Sequence, residues 1–282
     1  MSKHLYKMPE VGFALDELDI GRTLGSGGFG TVYHATYRGE VVALKRLHTN
    51  TKNKKAAMQS FRSETRHEVL NFCHPNIVRT LYHSQASSIE DSPFLIMEFI
   101  ENKTLQHLLD DPEEVLDDAQ RIQFASEIAC ALDYVHAQNV AHLDLKPVNV
   151  LVTKNNICKL GDFGCCEMVE DLPVSPTRSY LTGTFAYRAP ELLRGQSASC
   201  KADIYSFGIC LWQFWTRDTP YRGKNQHVVI FGVVSKHLRP KLSEDNMPDA
   251  KYHELMTSCW SAHPDKRPSS KELLALFDCW KA

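Results

Sequence analysis

Gly25-x-Gly27-x-x-Gly30 is followed at once by Thr31-Val32-Tyr33-His34-Ala35, and this succession constrains the fold more than any other feature of the chain. Where such a glycine run opens a helix, the helix N-terminus holds a pyrophosphate inside a βαβ unit. Here β-branched and aromatic residues follow, which is strand chemistry. Alternation then passes through a turn at Arg38-Gly39 into Val41-Val42-Ala43-Leu44-Lys45. A Walker loop is excluded, because Thr31 follows Gly30 where that loop needs Lys and then Ser or Thr. The run therefore predicts a hairpin lid over phosphates, with glycines that let the backbone come close.

Lys45 closes an apolar strand. Its stem can pack while its amine reaches water, or the amine can act as a point charge on phosphates, held by a carboxylate. Ala56 to Phe72 is predicted helical, with Met58, Phe61, Val69 and Leu70 among its apolar positions. Glu64 on that helix is the preferred partner of Lys45. Glu68, one turn further on the same face, is the alternative.

Two further strings carry reaction chemistry: HLDLKPVN at His142–Asn149 and DFG at Asp162–Gly164. Phosphoryl transfer needs an aligned hydroxyl, metal ions and shielding of phosphate charge. Asp144 is placed to accept or orient a hydroxyl proton, and Lys146 to neutralise the moving phosphate. Asn149 and Asp162 are the candidate ligands of Mg2+. Taken singly, each reads as a loop or cap residue; the order of the whole set carries the assignment. The nucleotide, ATP, is expected under the lid Leu24-Gly25-Ser26-Gly27-Gly28-Phe29-Gly30, with Val32, Ala43 and Leu151 around the adenine. Met97 is expected to guard the back of that pocket, and Glu98-Phe99-Ile100 to form its edge. Glu191 of Ala189-Pro190-Glu191 is expected to pair with Arg267, and Asp203 to brace the loop around Asp144.

The 282 residues are 43% hydrophobic and 23% charged, with a formal net charge of −2. That balance gives no basis for nonspecific binding to nucleic acid or to an acidic membrane. The longest strongly apolar stretch, Ile204 to Trp215, is shorter than the roughly 20 residues a bilayer requires, and is predicted to be a buried helix. The N-terminus lacks the apolar core of a signal peptide. Nine scattered cysteines without metal-ligand spacing predict reduced thiols in a cytoplasmic protein. Adjacent Cys165 and Cys166 read as two free thiols.

Strand patterns dominate to Phe99, and helical patterns follow. The predicted helices are Ile122–Val135, Cys200–Thr216, His227–Val234, Tyr252–Trp260 and Ser270–Phe277, and short strands fall at Val150–Val152 and Cys158–Leu160. This is an α+β arrangement in two parts: an extension at 1–17, a β-rich lobe at 18–99 and a helical lobe at 100–282, with a ligand cleft expected near Glu98–Lys103.

With these residues in view, the chain from about Leu18 resembles a eukaryotic protein kinase. Lys146, two residues after Asp144, matches the Ser/Thr-specific pattern and not the tyrosine-specific one, and Gly183-Thr184 agrees. The strings GGFGTVYHATYRG, HLDLKPVNVL, GDFGCCE, YRAPELL and KADIYSFGICLWQ resemble the Mos family more narrowly. Leu143 stands where most kinases carry Arg. The resemblance implies a bilobal kinase that works as a monomer with ATP and Mg2+. It also implies phosphorylation of a MAP kinase kinase during meiotic maturation of oocytes, control through the amount of protein, and contact of Thr184 with Asp144 and Lys146. The rival readings are a pseudokinase scaffold, which the presence of Lys45, Asp144, Asn149 and Asp162 opposes, and a Ser/Thr kinase of the wider tyrosine-kinase-like group with another substrate.

Overall fold

A computed structural model describes residues 17–101, 103–169 and 185–281. Contacts divide the chain into two units, Met1–Cys73 with Val78–Asn102, and His74–Ile77 with Lys103–Ala282. Thr184, the other hydroxyl and acidic residues between Gly164 and Ala189 from Glu170 to Thr182, and nearly all of the 1–17 extension lie outside the described residues.

The first unit is an antiparallel sheet of β1 (Leu18–Ser26), β2 (Gly30–Tyr37), β3 (Glu40–Leu47), β4 (Thr80–His83) and β5 (Phe94–Glu98), ordered β1-β2-β3-β5-β4. The turn predicted between β2 and β3 is present, with Arg38 and Gly39 at φ 49° and 83°. Strand alternation sorts the side chains. Ala35, Tyr37, Val42, Leu44, Phe94 and Ile96 form a core on one face. On the other face Leu47 and Leu95 pack with Ala57, Met58 and Phe61 of helix α1 (Lys54–Glu64). Each such buried side chain contributes about 1.5–3 kcal/mol.

The predicted helix Ala56–Phe72 is broken. Asn53 caps α1, its Oδ1 accepting from Ala56 N at 3.0 Å. At the other end the Thr65 hydroxyl donates to the Phe61 carbonyl at 2.9 Å, and Arg66 turns extended at φ −63°, ψ 145°. Only a short turn, α2 (His67–Leu70), follows. A residue whose side chain competes for the helix's own carbonyl favours termination there. Glu68 is thereby removed from the continuous helical face it would have shared with Glu64.

The second unit begins with His74–Ile77. Asn76 Nδ2 donates to Cys158 O at 2.9 Å, Leu160 N donates to Asn76 O at 2.8 Å, and Ile77 bridges Leu160. The remaining elements are α3 (Leu105–Asp110), α4 (Asp118–His136), β6 (Val140–Ala141), β7 (Val150–Val152), β8 (Cys158–Leu160), β9 (Glu167–Met168), α5 (Pro190–Leu193), α6 (Cys200–Thr216), α7 (Gln226–Lys236), α8 (Ala250–Cys259) and α9 (Ser270–Lys281). Strands β7 and β8 pair antiparallel, as do β6 and β9. Helix α4 starts four residues before the predicted point because Asp117 caps it, accepting from Gln120 N at 2.7 Å.

Helix α6 is buried without interruption from Ala202 to Phe214, the signature of a helix packed on all sides. Gly208 lets α8 approach: a Cβ there would stand 2.9 Å from Cys259 Cβ and from Trp260 N. Among the described residues, no helix is long and apolar enough to cross a membrane.

Arg267, 1% exposed, ties the C-terminal end of the unit to α5. Its guanidinium grips Glu191 with two bonds, 2.6 and 2.8 Å, and also donates to the Lys201 and Ser261 carbonyls. Removing one partner of a buried pair strands the other charge, at a cost of about 3–5 kcal/mol. All four tryptophans, Trp212, Trp215, Trp260 and Trp280, lie in the second unit. Tryptophan fluorescence therefore follows the unfolding of that unit. Arg267→Met should move the tryptophan-detected denaturant midpoint down by an amount equivalent to about 3–5 kcal/mol; an unmoved midpoint would show that the pair is not a strut.

Candidate active site

The glycines of the β1–β2 hairpin divide by what surrounds them. A Cβ at Gly30 would lie 2.5 Å from the Arg46 carbonyl oxygen, so glycine there is required for β2 to lie against β3. At Gly25 and Gly28 a Cβ meets nothing within 4 Å, and at Gly27 the nearest atom is 3.9 Å away. The fold does not demand glycine at these three positions. What they keep clear is space beside the backbone, which is what a bulky anion needs.

Register places the expected pocket residues of the first unit on one face of the sheet. Val32 pairs with Lys45, and Ala43 pairs with Met97. Cross-strand partners project to the same side, and Ala43 and Lys45 are two residues apart on β3. Val32, Ala43, Lys45 and Met97 therefore share the face that carries α1 further along. Glu98 ends β5; its Oε1 accepts from Arg79 N at 2.9 Å, and Ile100 beyond it is buried.

Lys45 Nζ donates to both oxygens of Glu64, at 2.8 and 2.9 Å, and the two side chains are 16% and 6% exposed. Ser60 Oγ stands 3.5 Å from the same carboxylate. Of the two partners considered for Lys45, the geometry selects Glu64. A bidentate grip at low exposure fixes the amine on the sheet face instead of leaving it to sweep through solvent.

In the second unit, the strand-like Val140–Ala141 leads into the loop His142–Asn149. Asp203, fully buried on α6, accepts from His142 N and Leu143 N at 2.7 Å each. Leu143 sits in the left-handed region at φ 64°. Such a conformation costs a non-glycine residue about 1–2 kcal/mol, and the two charge-assisted bonds offset it. His136 Nε2 lies 2.9 Å from the same carboxylate, while its Nδ1 meets Ser270 Oγ, which donates to Asp133.

His142 is fully buried, with both ring nitrogens engaged. Nδ1 accepts from Asp144 N at 3.2 Å, so the ring proton belongs on Nε2, which donates to Gly161 O at 3.0 Å. Its ring meets Phe163 edge-on at 4.8 Å. One imidazole thus links the backbone of Asp144 to the residue before Asp162. Gly161 N also donates to Asn149 O at 2.9 Å, which brings Asn149 to the same place.

Asp144, Lys146 and Asn149 converge on one oxygen. Lys146 Nζ and Asn149 Nδ2 approach Asp144 Oδ2 at 2.8 and 3.0 Å, and Asn149 Nδ2 also donates to Asp144 O at 2.8 Å. The amide nitrogen of Asn149 is therefore committed, and its carbonyl oxygen is the atom left for a cation. Asp162 opens a short 3-10 turn from left-handed backbone, φ 58°. A carboxylate and an amide oxygen make a hard donor set suited to Mg2+. Leu151, the expected adenine contact of this unit, lies on β7 paired with Lys159 and bridged to Thr104.

Of the residues that hold this geometry, His136, His142 and Ser270 are not singled out by sequence reasoning. The six-residue spacing from His136 to His142 is the only signal available, and it acquires meaning once Asp203 is seen to lie between them.

Cys165, directly after the DFG string, is a free thiol. Burial, with the Asp144 and Asp162 carboxylates adding to it, pushes its pKa up to about 12. A raised thiol pKa keeps the proton on at neutral pH, since the thiolate appears only as pH approaches the raised value. At pH 8 the thiolate fraction is about one in ten thousand. Native protein treated with iodoacetamide at pH 8 should be labelled at exposed Cys73 and Cys279 well before Cys165. Peptide mass mapping that finds Cys165 labelled first would contradict the buried, neutral thiol.

Residues 18–276 match the family model described as the protein kinase domain. A serine/threonine-protein kinase mos of Patiria pectinifera is 46% identical over 266 residues, spanning 93% of this chain and 75% of that protein. A proto-oncogene serine/threonine-protein kinase mos of Sus scrofa is 40% identical over 278 residues, with 92% and 79% covered. One from Xenopus laevis is 38% identical over 265 residues, with 89% and 72% covered. The matched span holds the glycine hairpin, the Lys45–Glu64 pair, the Asp144 cluster and the Glu191–Arg267 strut alike. Identity of this extent, across most of this chain and about three quarters of those proteins, together with the matched kinase domain, means that the chain belongs to the Mos family of serine/threonine-protein kinases.

Proposed function

We propose that the chain transfers the terminal phosphoryl group of Mg-ATP to Ser or Thr of a MAP kinase kinase, as a cytoplasmic monomer acting in oocyte meiotic maturation. The observation that carries the catalytic part is the convergence of Lys146 and Asn149 on Asp144 Oδ2. Among the described residues, Asp144 Oδ1 has no side-chain partner, so it is the oxygen that takes the substrate hydroxyl's proton as the oxygen attacks. Two donors on Oδ2 hold the carboxylate in one orientation, and Lys146 brings positive charge to the side where phosphate charge accumulates. Asn149 Oδ1 and Asp162 would hold Mg2+, which would supply positive charge against that of the phosphates. Lys45, fixed by Glu64, pairs with the nucleotide phosphates, and the backbone of Leu24–Gly30 closes over them. Val32, Ala43, Met97, Glu98 and Ile100 are the first unit's contacts for the adenine. The MAP kinase kinase substrate and the meiotic role rest on the family resemblance. Nine free cysteines agree with a reducing compartment.

The test is phosphorylation of a catalytically dead MAP kinase kinase by the purified chain with Mg-ATP, with phosphosites mapped. Wild-type protein should modify Ser or Thr. Asp144→Asn should lower kcat by about 10²-fold or more while ATP affinity stays within about threefold. Full turnover in that variant would remove Asp144 from the role. Modification of other proteins but not of the MAP kinase kinase would leave a Ser/Thr kinase with a different substrate.

Leu143 is 8% exposed and apolar, so it offers no charge-assisted bond to a phosphorylated loop. Activity should therefore survive treatment with phosphatase, after removal of that phosphatase, at more than about half its starting value. Loss of most activity, restored on rephosphorylation at Ser175, Thr177, Ser179, Tyr180 or Thr182, would mean that another basic residue reads the phosphate.

A further inference from the structure

The glycine hairpin has a side-chain fastening at its base. Ser26 ends β1, Thr31 is the second residue of β2, and His48 follows the last residue of β3. Ser26 and Thr31 are direct cross-strand partners, and their hydroxyl oxygens lie 3.0 Å apart. Thr31 Oγ1 in turn lies 2.8 Å from His48 Nε2. Thr31 is 8% exposed, among the few polar residues of the first unit that are buried. Two backbone bonds frame the chain of three: Gly27 N donates to Gly30 O, and His48 N to Phe29 O, at 2.8 Å each.

Strand alternation shows which side this fastening works from. Thr31 pairs with Arg46, while Val32 pairs with Lys45. Ser26, Thr31 and Arg46 therefore share the face opposite Lys45. The three polar groups do not reach into the phosphate side; they tie the hairpin down from behind. The tip needs such a tie. Gly25, Gly27 and Gly28 have no side chains with which to hold a shape, and a glycine-rich tip loses more entropy on being fixed than any other.

We propose that Thr31 and His48 are positioning residues for the phosphate-gripping loop, acting through Ser26 to hold its backbone at the height where its N–H groups meet the nucleotide. The proposal rests on reading Leu24–Gly30 as the nucleotide lid. The proton order is self-consistent in either direction. With Nε2 accepting, Thr31 O–H donates to His48 and Ser26 O–H donates to Thr31. With Nε2 donating, Thr31 O–H turns to Ser26. The chain is complete in both tautomers, so hydrogen-bonding capacity, not charge, is what the two positions must keep. A Leu at 48 or a Val at 31 breaks it, while Gln at 48 or Ser at 31 retains it.

Calorimetric titration with Mg-ADP and steady-state kinetics in ATP test this. Thr31→Val and His48→Leu should each raise the Mg-ADP Kd and the ATP KM about 3- to 10-fold, the range of one lost net hydrogen bond, with kcat within about twofold of wild type. Thr31→Ser should restore wild-type affinity and His48→Gln most of it. The double variant should bind no more weakly than the worse single one, since either change alone breaks the chain. Unchanged Mg-ADP affinity in both single variants, or affinity losses that simply multiply in the double, would overturn the proposal. So would a fall in kcat with KM unmoved. Wild-type protein that binds no Mg-ADP would instead overturn the reading of the lid itself, and the two failures are told apart by that single titration.

Discussion

The carboxylate of Asp203 holds the catalytic loop in place. It lies on a helix that is buried on every side, and it accepts the consecutive N–H groups of His142 and Leu143. A buried anion is costly unless its lone pairs are used, and here backbone donors and His136 use them. What the bonds secure is a loop that could not keep its own shape: Leu143 is held at positive φ, and with it the direction of the chain into Asp144. From that turn the rest follows in order. His142 is turned inward to meet Gly161 and Phe163, Asp144 faces Lys146 and Asn149, and Asn149 is joined to the backbone before Asp162. A helix buried from Ala202 to Phe214 gives such a loop a closely packed anchor.

The first unit solves a related problem with a different material. Its charged group, Lys45, stands on a strand, and strand register decides which neighbours it has. Because β2, β3 and β5 pair as they do, the side of the sheet that carries Lys45 also carries Val32, Ala43 and Met97. A one-residue slip of any of these strands would send its own members of this set to the other face. The core of Ala35, Tyr37, Val42, Leu44, Phe94 and Ile96 guards against that slip by making the alternate register expose it. The end of α1 then sets the partner: Thr65 stops the helix directly after Glu64, so that carboxylate, and not Glu68, is presented to Lys45.

Most elements are legible in the sequence because local chemistry and tertiary demand agree there. Helix Cys200–Thr216 and strands Val150–Val152 and Cys158–Leu160 fall at their expected bounds, since apolar content and flanking residues point the same way. The break at Thr65-Arg66 is not legible: apolar spacing runs on past it, and the interruption comes from one hydroxyl bond that periodicity does not register. The joining of His74–Ile77 to the second unit is hidden for another reason. It depends on Asn76 reaching Cys158, 82 positions away, and no local pattern encodes that. In the candidate site, the charged residues are readable because their spacing is fixed by chemistry. The histidines that orient them are not, since a histidine turned inward to such partners looks in sequence like any other histidine.

Leu143 brings the two kinds of constraint together. In sequence it is a departure from the charged residue most kinases carry at that position. In structure it is a buried apolar side chain on a backbone that is strained and tied. Leucine carries no charge with which to bind a phosphate, and its side chain is buried. Asp203 and His142, both buried in the second unit, hold the backbone of the catalytic loop. A loop held by folded backbone contacts of this kind is formed wherever the second unit is folded. The stability of α6 and of the Glu191–Arg267 pair therefore bears on how much of the chain carries a formed loop. For a protein whose margin is on the order of 5–15 kcal/mol, loss of a strut worth about 3–5 kcal/mol lowers the amount of active kinase even if each surviving molecule turns over normally.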